Sequence, residues 1–349
     1  MHRTTPRWLS TTLFCSVVLL IGCNRQPQLV EQRLLEFGTI IDISIIHEDV
    51  DKAEKALLQA EQQLKRYRTY WHAWEDSDLY RFNQALDKSQ PALVTEPLIE
   101  LIQLSQQYYQ SSQHLFNPAL GKLIAAYGFH GEANPDLALI STIQKDLPGM
   151  PDLKIKNGMA ISDNPHLQLD FGGIAKGYAI ALVADELKRS GFKHFLINAG
   201  GDVLIYGNRF GKPWRIGVQN PFAPGAIASI ELSGNQNLFT SGNYQRFYRK
   251  DGGIVHHIID PRTGKPSTQV TSATVLADDA VLADVGATTL MIDGWQDHAS
   301  LAESLGISDY LLIDANLNVI VSRNLAAKLE FTSDVSVTIA GDTPSNLAK

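Results

Sequence analysis

A carboxylate and a hydroxyl at helical spacing stand out in the C-terminal third of the sequence. Asp284 and Thr288 lie four residues apart in a segment, 279–291, whose pattern predicts a helix, so both side chains lie on one face. Oxygen ligands of this kind suit a hard cation such as Mg²⁺, which leaves positions open for phosphate oxygens. The more ordinary interpretation is local hydrogen bonding within a helix, and Asp278 and Asp279 are expected to cap it.

The second candidate is a glycine turn in the middle of the chain. Asp170 ends a strand-like run, Gly172 and Gly173 follow, and a helix is predicted over 175–189. Unpaired N–H groups at a helix N-terminus attract phosphate, and Lys176 adds a positive charge. A plain strand–turn–helix connection is the alternative. The motif is neither G-x-G-x-x-G nor a Walker loop, so it predicts neither a Rossmann nor a P-loop site.

Two segments near residue 250 combine polar side chains with turns. Thr240, Ser241 and Arg246 flank a glycine and could contact an anion, although a solvated tight turn also fits. The pair His256 and His257 precedes Asp-Pro-Arg-Thr-Gly, a composition typical of a turn. Because adjacent residues on a strand point to opposite faces, at most one of these histidines faces a given site.

Two further motifs leave a structural and a functional interpretation open. Segment 198–202, Asn-Ala-Gly-Gly-Asp, is typical of a turn between strands. The aromatic segment 70–74 either stacks on a planar ring system or packs into the core. The sequence contains no Cys/His zinc spacing and no G-x-S-x-G motif, so it indicates neither a zinc site of that kind nor a nucleophile elbow.

A mixture of helices and short strands must position these residues. A strand is predicted over 34–47, a helix follows a cap at Asp49 or Asp51, and another helix begins at Thr95. Helix 175–189 and the helix near residue 284 interrupt a series of strand-like runs: 153–155, 167–170, 195–198, 203–206, 214–219 and 227–232. This order predicts an α+β fold of two packed lobes, without the regular βαβ alternation of a doubly wound fold.

Composition and charge set the class of protein. The 349 residues are 44% hydrophobic and 19% charged, which is typical of a globular protein and excludes a disordered or fibrous chain. The formal net charge of −7 argues against a nucleic-acid-binding protein. No apolar run of transmembrane length follows residue 22.

The N-terminus is typical of a secretory signal. Arg3 and Arg7 precede a short apolar stretch, and Leu-Ile-Gly-Cys at 20–23 is typical of a bacterial lipobox, in which Cys23 is acylated. We therefore expect a signal peptide over 1–22, a lipidated tether over 23–33 and one folded domain over 34–349. An ordinary signal cut elsewhere is the alternative. With Cys15 inside the signal, the mature chain would form no internal disulfide.

Taken in order, these segments resemble the ApbE family of FAD:protein FMN transferases, from about residue 37 to residue 290. The landmarks are Gly38-Thr39, Ser77-Asp78-Leu79, Arg81-Phe82-Asn83, Phe116-Asn117-Pro118, Tyr127-Gly128-Phe129, 170–178, 198–202, 240–242, 257–264, and Asp284 with Thr288. Each is weak alone, but their order behind a lipobox is specific. Two departures are Phe37, where many members have methionine, and the Trp-His-Ala-Trp segment ending at Trp74.

The resemblance implies an ApbE-like fold of mixed, largely antiparallel sheets flanked by helices. It implies a lipoprotein of the bacterial envelope that faces the periplasm, with the inner membrane favoured. The implied reaction takes FAD, releases AMP and attaches FMN through a phosphoester bond to a threonine of a partner protein. The implied partners are subunits of Na⁺-translocating NADH:quinone reductase or Rnf-type complexes.

The resemblance also implies roles for individual residues. Asp284, Thr288 and the Gly173 carbonyl would hold Mg²⁺, with Asp284 counted as catalytic. His257 would lie near the diphosphate and take the threonine proton. The implied FAD contacts are Phe37, Trp74, Tyr127, Gly128, Phe129, Asp170, Lys176, His257 and Ile258.

Two other functions fit the same residues. An Mg²⁺-dependent FAD hydrolase would use water in place of the threonine and give FMN and AMP. A periplasmic flavin-binding lipoprotein would store FAD without turnover, and the metal site would then matter little. The sequence leaves these alternatives, and the choice between Mg²⁺ and Mn²⁺, open.

Overall fold

A nine-stranded sheet forms the centre of the protein, in a computed structural model that describes residues 26–130, 134–250, 253–332 and 335–341. The strands are β1 (Gln28–Glu36), β2 (Thr39–His47), β3 (Ala92–Leu93), β4 (Leu153–Lys156), β5 (Met159–Ser162), β6 (Phe195–Ala199), β7 (Asp202–Gly207), β8 (Trp214–Gln219), β9 (Ala226–Leu232), β10 (Gly234–Gly242), β11 (Phe247–Lys250), β12 (Gly253–His256), β13 (Ile259–Asp260), β14 (Lys265–Pro266), β15 (Ser272–Ala277), β16 (Asp309–Ile313), β17 (Asn318–Val321), β18 (Leu329–Phe331) and β19 (Ser336–Ile339). The helices are α1 (Val50–Trp71), α2 (Asp78–Asp87), α3 (Glu96–Ser111), α4 (Gly121–Ala126), α5 (Leu137–Ile143), α6 (Ala175–Arg189), α7 (Ala280–Leu305) and α8 (Arg323–Ala326).

The strand order of the central sheet is β1-β2-β6-β7-β10-β15-β16-β17-β19. Its neighbouring strands are antiparallel, except that β17 and β19 are parallel. Smaller sheets contain β18-β9-β8, β3-β5-β4, β11-β12 and β13-β14. The predicted α+β class with largely antiparallel sheets is confirmed.

Both faces of the central sheet are buried, because side chains along each strand alternate between two apolar clusters. On β2, Ile41, Ile43 and Ile45 join the cluster that contains the apolar faces of α1, α6 and α7. Ile46 joins a second cluster, in which Trp214 and its neighbours on β8 and β9 cover the opposite face. Helices therefore lie on one side of the sheet and a three-stranded sheet on the other.

The segment predicted as one strand over 34–47 is a β-hairpin. β1 and β2 pair from Gln28 with His47 to Glu36 with Thr39, and the turn falls at Phe37 and Gly38, with φ of 52° and 70°. β1 therefore begins inside the segment predicted as a tether over 23–33, and the predicted domain bounds stay a prediction. β1 is an edge strand whose side chains are mostly half-buried or exposed. Its sequence is therefore polar and lacks the apolar run by which a strand is predicted.

The helices agree with their predicted starts. Asp49 caps α1 by accepting the Lys52 N–H at 3.0 Å, and Asp279 caps α7 by accepting the Leu282 N–H at 2.7 Å. α6 occupies its predicted range. α7 extends well past residue 291, because the chain returns to helix after non-helical torsions at Asp293 and Asp297.

The run 167–170 before the glycine turn is extended but is not a strand of a sheet. Only Gln168 forms a β-bridge, to Leu120. The side chain of Asn83 on α2 takes the place of a strand partner, since it donates to the Leu169 carbonyl at 2.8 Å and accepts the Leu169 N–H at 2.9 Å. The buried Asn83 side chain thus fixes the backbone just before Asp170.

Within the described residues, no helix is long and apolar enough to cross a membrane. The predicted signal peptide over 1–22 and the predicted lipidation residue Cys23 lie outside the residues that the structure describes.

Candidate active site

Six parts of the chain meet in one cleft beside the central sheet. They are the segment 115–124 that leads into α4, the turn at the start of α6, the start of β7, the end of β10 with the residues after it, the link from β12 to β13, and the N-terminal half of α7. The residues predicted for the site that line this cleft are Asp170, Gly173, Lys176, His257, Ile258, Asp284 and Thr288. Residues as far apart in sequence as Leu115 and Ile292 therefore form one surface.

The three residues predicted as metal ligands lie together. Asp284 is only 4% exposed, and its Oδ2 accepts the Gly177 N–H at 2.8 Å. A Cβ placed on Gly173 would lie 3.4 Å from Thr288 Oγ1, so the backbone of the glycine turn passes directly against that hydroxyl. The Thr288 hydroxyl also lies 3.2 Å from Ser241 Oγ.

This donor set fits a hard cation better than zinc. The described residues contain no group of three or more His, Cys, Asp or Glu that could hold a metal. Asp284 is buried, and its recorded hydrogen bond is to a neutral N–H, so its charge is not cancelled by an ion pair among the described residues. One carboxylate, one hydroxyl and a backbone carbonyl form an oxygen-only set of the kind that shares Mg²⁺ with phosphate oxygens.

Asp170 stands at the entrance of the glycine turn as a partly buried carboxylate. Its Oδ1 accepts the Gly172 N–H at 2.8 Å, and its Oδ2 lies 3.5 Å from His130 Nε2. Burial alone would raise the pKa of Asp170, but the bond and charge of His130, the Gly172 N–H and the charge of Arg246 outweigh it and lower that pKa. Asp170 is therefore ionised at neutral pH.

Lys176, in the first turn of α6, is paired within the cleft. Its Nζ contacts Oδ2 of Asp202, whose side chain is 4% exposed and whose Oδ1 accepts the Thr240 N–H at 2.9 Å. Burial lowers the pKa of Lys176, while the charge of Asp284 opposes that shift. Asp202 was not among the predicted site residues, although the glycine motif at 198–202 contained it.

The two adjacent histidines face different surroundings, since His256 is the last residue of β12 and His257 lies in the bend that follows it. His256 is buried, and its Nε2 donates to the Ser267 carbonyl at 2.6 Å. His257 lines the cleft, and its Nδ1 lies 3.3 Å from the carbonyl oxygen of Arg246. Because a carbonyl oxygen only accepts, this contact places the proton on Nδ1 and leaves the Nε2 lone pair of His257 available.

His257 is neutral at physiological pH. Burial and the charge of Arg246 lower its pKa to about 4, although the bond to the Arg246 carbonyl acts in the opposite direction. A neutral imidazole with a free Nε2 can accept a proton. This is the state that a general base requires before reaction.

The predicted aromatic contacts lie around the cleft and do not line it. The Phe129 ring meets the His257 ring edge-on at 6.1 Å, and Tyr127 donates its hydroxyl to the Gly264 carbonyl at 2.8 Å. Gly128, between them, has a φ of 88°. Trp74 stacks on His130 at 3.7 Å and so reaches Asp170 through that ring.

Phe37 lies at the β1–β2 turn and is not among the described residues that line the cleft. Its left-handed φ and partial burial against the main core explain its position. Its predicted role in FAD binding stays a prediction, as do those of the other aromatic residues.

A network of ion pairs, called here the clamp, joins the β13–β14 hairpin to α7. Arg262, in the β13–β14 turn, donates to Asp260 at 2.8 Å and also to Asp293, which is 8% exposed at the non-helical position of α7. The turn is closed by the Gly264 N–H, which donates to the Asp260 carbonyl at 2.8 Å. The clamp links the hairpin that follows His257 to the helix that carries Asp284.

His130 and Arg246 were absent from the predicted site residues. His130 belongs to no sequence motif, and only its position beside Asp170 reveals it. Arg246 had a signal, since the sequence grouped it with Thr240 and Ser241 as an anion contact, and all three line the cleft.

The sequence pattern of the ApbE family matches residues 37–311 of the chain. This chain belongs to the ApbE family. The match contains the cleft and the elements that build it. It ends within β16, so the ApbE-family region includes all of α7.

Among curated relatives in the ApbE family, the FAD:protein FMN transferase of Rhodobacter capsulatus is 32% identical over 305 residues, which cover 86% of this chain. The chain spans 58% of the length of that relative. The FAD:protein FMN transferase of Vibrio cholerae is 29% identical over 320 residues, covering 88% of this chain and 93% of the relative.

Solved structures of ApbE proteins share the fold. The ApbE protein of Thermotoga maritima superposes with a TM-score of 0.79 and 26% identity over 86% of this chain and 99% of its own. The flavin transferase ApbE of Vibrio cholerae gives a TM-score of 0.75 and 28% identity over the same share of each chain.

Proposed function

We propose that this chain transfers FMN from FAD to a threonine hydroxyl of an acceptor protein and releases AMP. The observation that carries the proposal is the joint placement in one cleft of an uncancelled buried carboxylate, Asp284, and a neutral histidine, His257. The curated relatives named FAD:protein FMN transferases support the same reaction.

Each residue of the cleft has a part in this reaction. Asp284, Thr288 and the Gly173 carbonyl would hold Mg²⁺, whose charge offsets that of the diphosphate oxygens when it is bound. Lys176 and the N–H groups at the start of α6 face the same end of the substrate. Asp170, ionised and fixed by Gly172, accepts hydrogen bonds from the ligand.

His257 accepts the proton of the acceptor threonine at Nε2. The threonine oxygen then bonds to the phosphorus of the FMN half of FAD, and the bond from that phosphorus to the bridging oxygen breaks. The bridging oxygen leaves with AMP and carries the electron pair of the broken bond. A positioned base of this type contributes about 10²- to 10⁴-fold to a rate.

The setting follows from the sequence signals at the N-terminus. A lipid on Cys23 would hold the domain at the periplasmic face of a bacterial membrane, with the inner membrane favoured. The acceptors would then be envelope flavoprotein subunits, such as those of Na⁺-translocating NADH:quinone reductase or Rnf-type complexes. The cleft itself supports the reaction without identifying the acceptor.

The deciding experiment measures the intact mass of an acceptor domain after incubation with the full-length chain, FAD and Mg²⁺. We expect a mass gain of one FMN phosphoryl unit, lost when EDTA is added. Asp284→Asn should lower the rate by at least about 100-fold, as happens when a charge-stabilising group leaves such a site. Asp185→Asn, at an exposed position on α6, is the matched control and should leave the rate unchanged.

The other outcomes separate the alternatives. Free FMN and AMP with an unmodified acceptor would identify an FAD hydrolase. Bound FAD that is neither cleaved nor transferred, with an acceptor that a known family member modifies, would identify a flavin-binding protein.

A further inference from the structure

The two positive side chains among the described residues of the cleft differ in their partners: one forms an ion pair and the other does not. Of the residues that line it, Lys176 and Arg246 carry positive charge, and Lys176 is paired with Asp202. The guanidinium of Arg246 donates to the main-chain oxygen of Phe129 at 3.0 Å, which is a neutral acceptor. Within the described parts of the chain, no carboxylate forms an ion pair with Arg246.

The unpaired guanidinium lies next to the groups proposed to do the chemistry. Arg246, Asp170 and His257 all line the cleft, and the charge of Arg246 lowers the pKa of both Asp170 and His257. Its own main-chain oxygen accepts the Nδ1–H of His257 at 3.3 Å. The backbone of residue 246 therefore orients the histidine while the side chain extends to Phe129.

The Arg246 guanidinium has further N–H groups with which it can bind a ligand. A guanidinium has five N–H groups in a planar fork, and the recorded bond to Phe129 uses one of them. The side chain is exposed, so a ligand that enters the cleft can reach the remaining N–H groups. A planar fork matches two oxygens of one phosphate, which a lysine ammonium does not.

We infer that Arg246 is a catalytic residue that binds the diphosphate of FAD and stabilises the charge that passes to AMP. This inference rests on the proposed transferase function. In that reaction the bond between the FMN phosphorus and the bridging oxygen breaks, and the electron pair stays on the AMP phosphate. The threonine proton goes to His257, so Arg246 supplies charge and hydrogen bonds and exchanges no proton.

The distribution of charge in the cleft supports this role for Arg246. Among the described residues, Asp284 on α7 and Arg246 just before β11 each hydrogen-bond a neutral backbone group and form no ion pair. A diphosphate that carries a divalent cation would satisfy both, because the carboxylate would hold the cation and the guanidinium would bind phosphate oxygens. A neutral ligand would satisfy neither.

The test compares Arg246→Gln and Arg246→Lys with the wild-type full-length chain. We expect kcat/KM for FAD, measured by acceptor mass, to fall by about 100-fold in the glutamine variant, with partial recovery in the lysine variant. Arg249→Gln, at an exposed position on β11, is the matched control and should match the wild type. These side-chain changes leave the carbonyl that orients His257 in place.

A second readout separates a charge role from a structural one. Guanidinium ion, added to Arg246→Ala below the concentration that unfolds the wild type, should restore part of the lost rate. Sodium chloride at the same ionic strength should not. Wild-type kcat/KM in Arg246→Gln would overturn the inference, and so would a loss that guanidinium leaves unchanged.

Failure of the proposed function would look different. If the wild-type chain leaves a verified acceptor unmodified, the transferase proposal fails whatever the variants do. Equilibrium binding of FAD with Mg²⁺ then tests the phosphate contact directly. Equal dissociation constants for the wild type and Arg246→Gln would overturn that contact, and weaker binding by the variant alone would support it.

Discussion

At the scale of single residues, His256 and His257 show how identical neighbours acquire different roles. Burial lowers the pKa of both histidines, which favours the neutral form of each ring. His256 uses its Nε2 proton to hold the Ser267 carbonyl, so both of its ring nitrogens serve the backbone. His257 uses only Nδ1, and its second nitrogen is free for chemistry.

The lowered pKa of His257 predicts a specific pH dependence of stability. In the unfolded chain a histidine titrates near 6.5, whereas in the folded chain His257 titrates at about 4. Between these values the unfolded state binds more protons, so this residue lowers the free energy of unfolding as the pH falls from about 6.5 to about 4. Above pH 6.5 the residue is neutral in both the folded and the unfolded state, so its titration does not change the free energy of unfolding.

Urea unfolding of the wild type and of His257→Gln from pH 4.5 to pH 7.5 measures this effect. The difference in free energy of unfolding between the two proteins should change in favour of the variant as the pH falls. Parallel curves over the whole range would contradict a lowered pKa for His257. The other histidines cancel in the comparison because both proteins keep them.

At the scale of secondary-structure elements, the crossing of α6 and α7 builds the proposed metal site. Gly177 on α6 faces Asp284 and the Ala280 carbonyl on α7, and it donates its N–H to that carboxylate. A Cβ at residue 177 would lie 2.8 Å from Asp284 Cβ and 2.9 Å from the Ala280 oxygen. The missing side chain is therefore what lets the two helices approach.

Gly177→Ala should damage both the packing and the site. The helices must separate to admit the methyl group, at a cost of about 1–3 kcal/mol in the free energy of unfolding. FMN transfer should fall with it, since Asp284 loses its position. Thermal or urea unfolding and the acceptor-mass assay give the two measurements.

Gly286→Ala on α7 is the control for packing alone. Its Cβ would lie 2.4 Å from Ile307 Cδ1, away from the cleft, so stability should fall while transfer by the folded fraction is kept. Equal loss of transfer in the two variants would show that helix packing in general, and not the contact at Asp284, sets the activity.

The part of this arrangement that sequence could predict is the part carried by local periodicity. Helical spacing placed Asp284 and Thr288 on one face, and a glycine turn before a helix placed Gly173 and Lys176 at its start. Edge strand β1 was missed because its half-exposed residues lack an apolar run. His130 was missed because its position beside Asp170 depends on a tertiary contact that no spacing encodes.

At the scale of the whole molecule, the central sheet begins close to the predicted lipid attachment. β1 starts at Gln28, five residues after Cys23, and pairs along its full length with β2. Only a short linker would therefore separate a lipid on Cys23 from the folded domain. Such a linker would keep the domain close to the membrane surface.

Cys23→Ala tests the predicted lipid anchor. In a bacterial host the wild-type chain should fractionate with membranes and enter the detergent phase, because buried acyl chains supply about 0.8 kcal/mol per CH₂ group. The variant should move to the aqueous phase and keep its FMN transfer activity, since the cleft lies in the domain. Recovery of both proteins in the aqueous phase would contradict lipidation at Cys23.

The clamp between Arg262, Asp260 and Asp293 has a consequence for how an acceptor must approach. Because it joins the β13–β14 hairpin, which follows His257, to α7, we expect this wall of the cleft to be preorganised and to yield little to an incoming chain. Ordering a flexible segment costs conformational entropy, and here the acceptor has to bear that cost. We therefore expect the modified threonine to lie in an extended loop that conforms to the enzyme, and a threonine within a rigid helix to be a poor substrate.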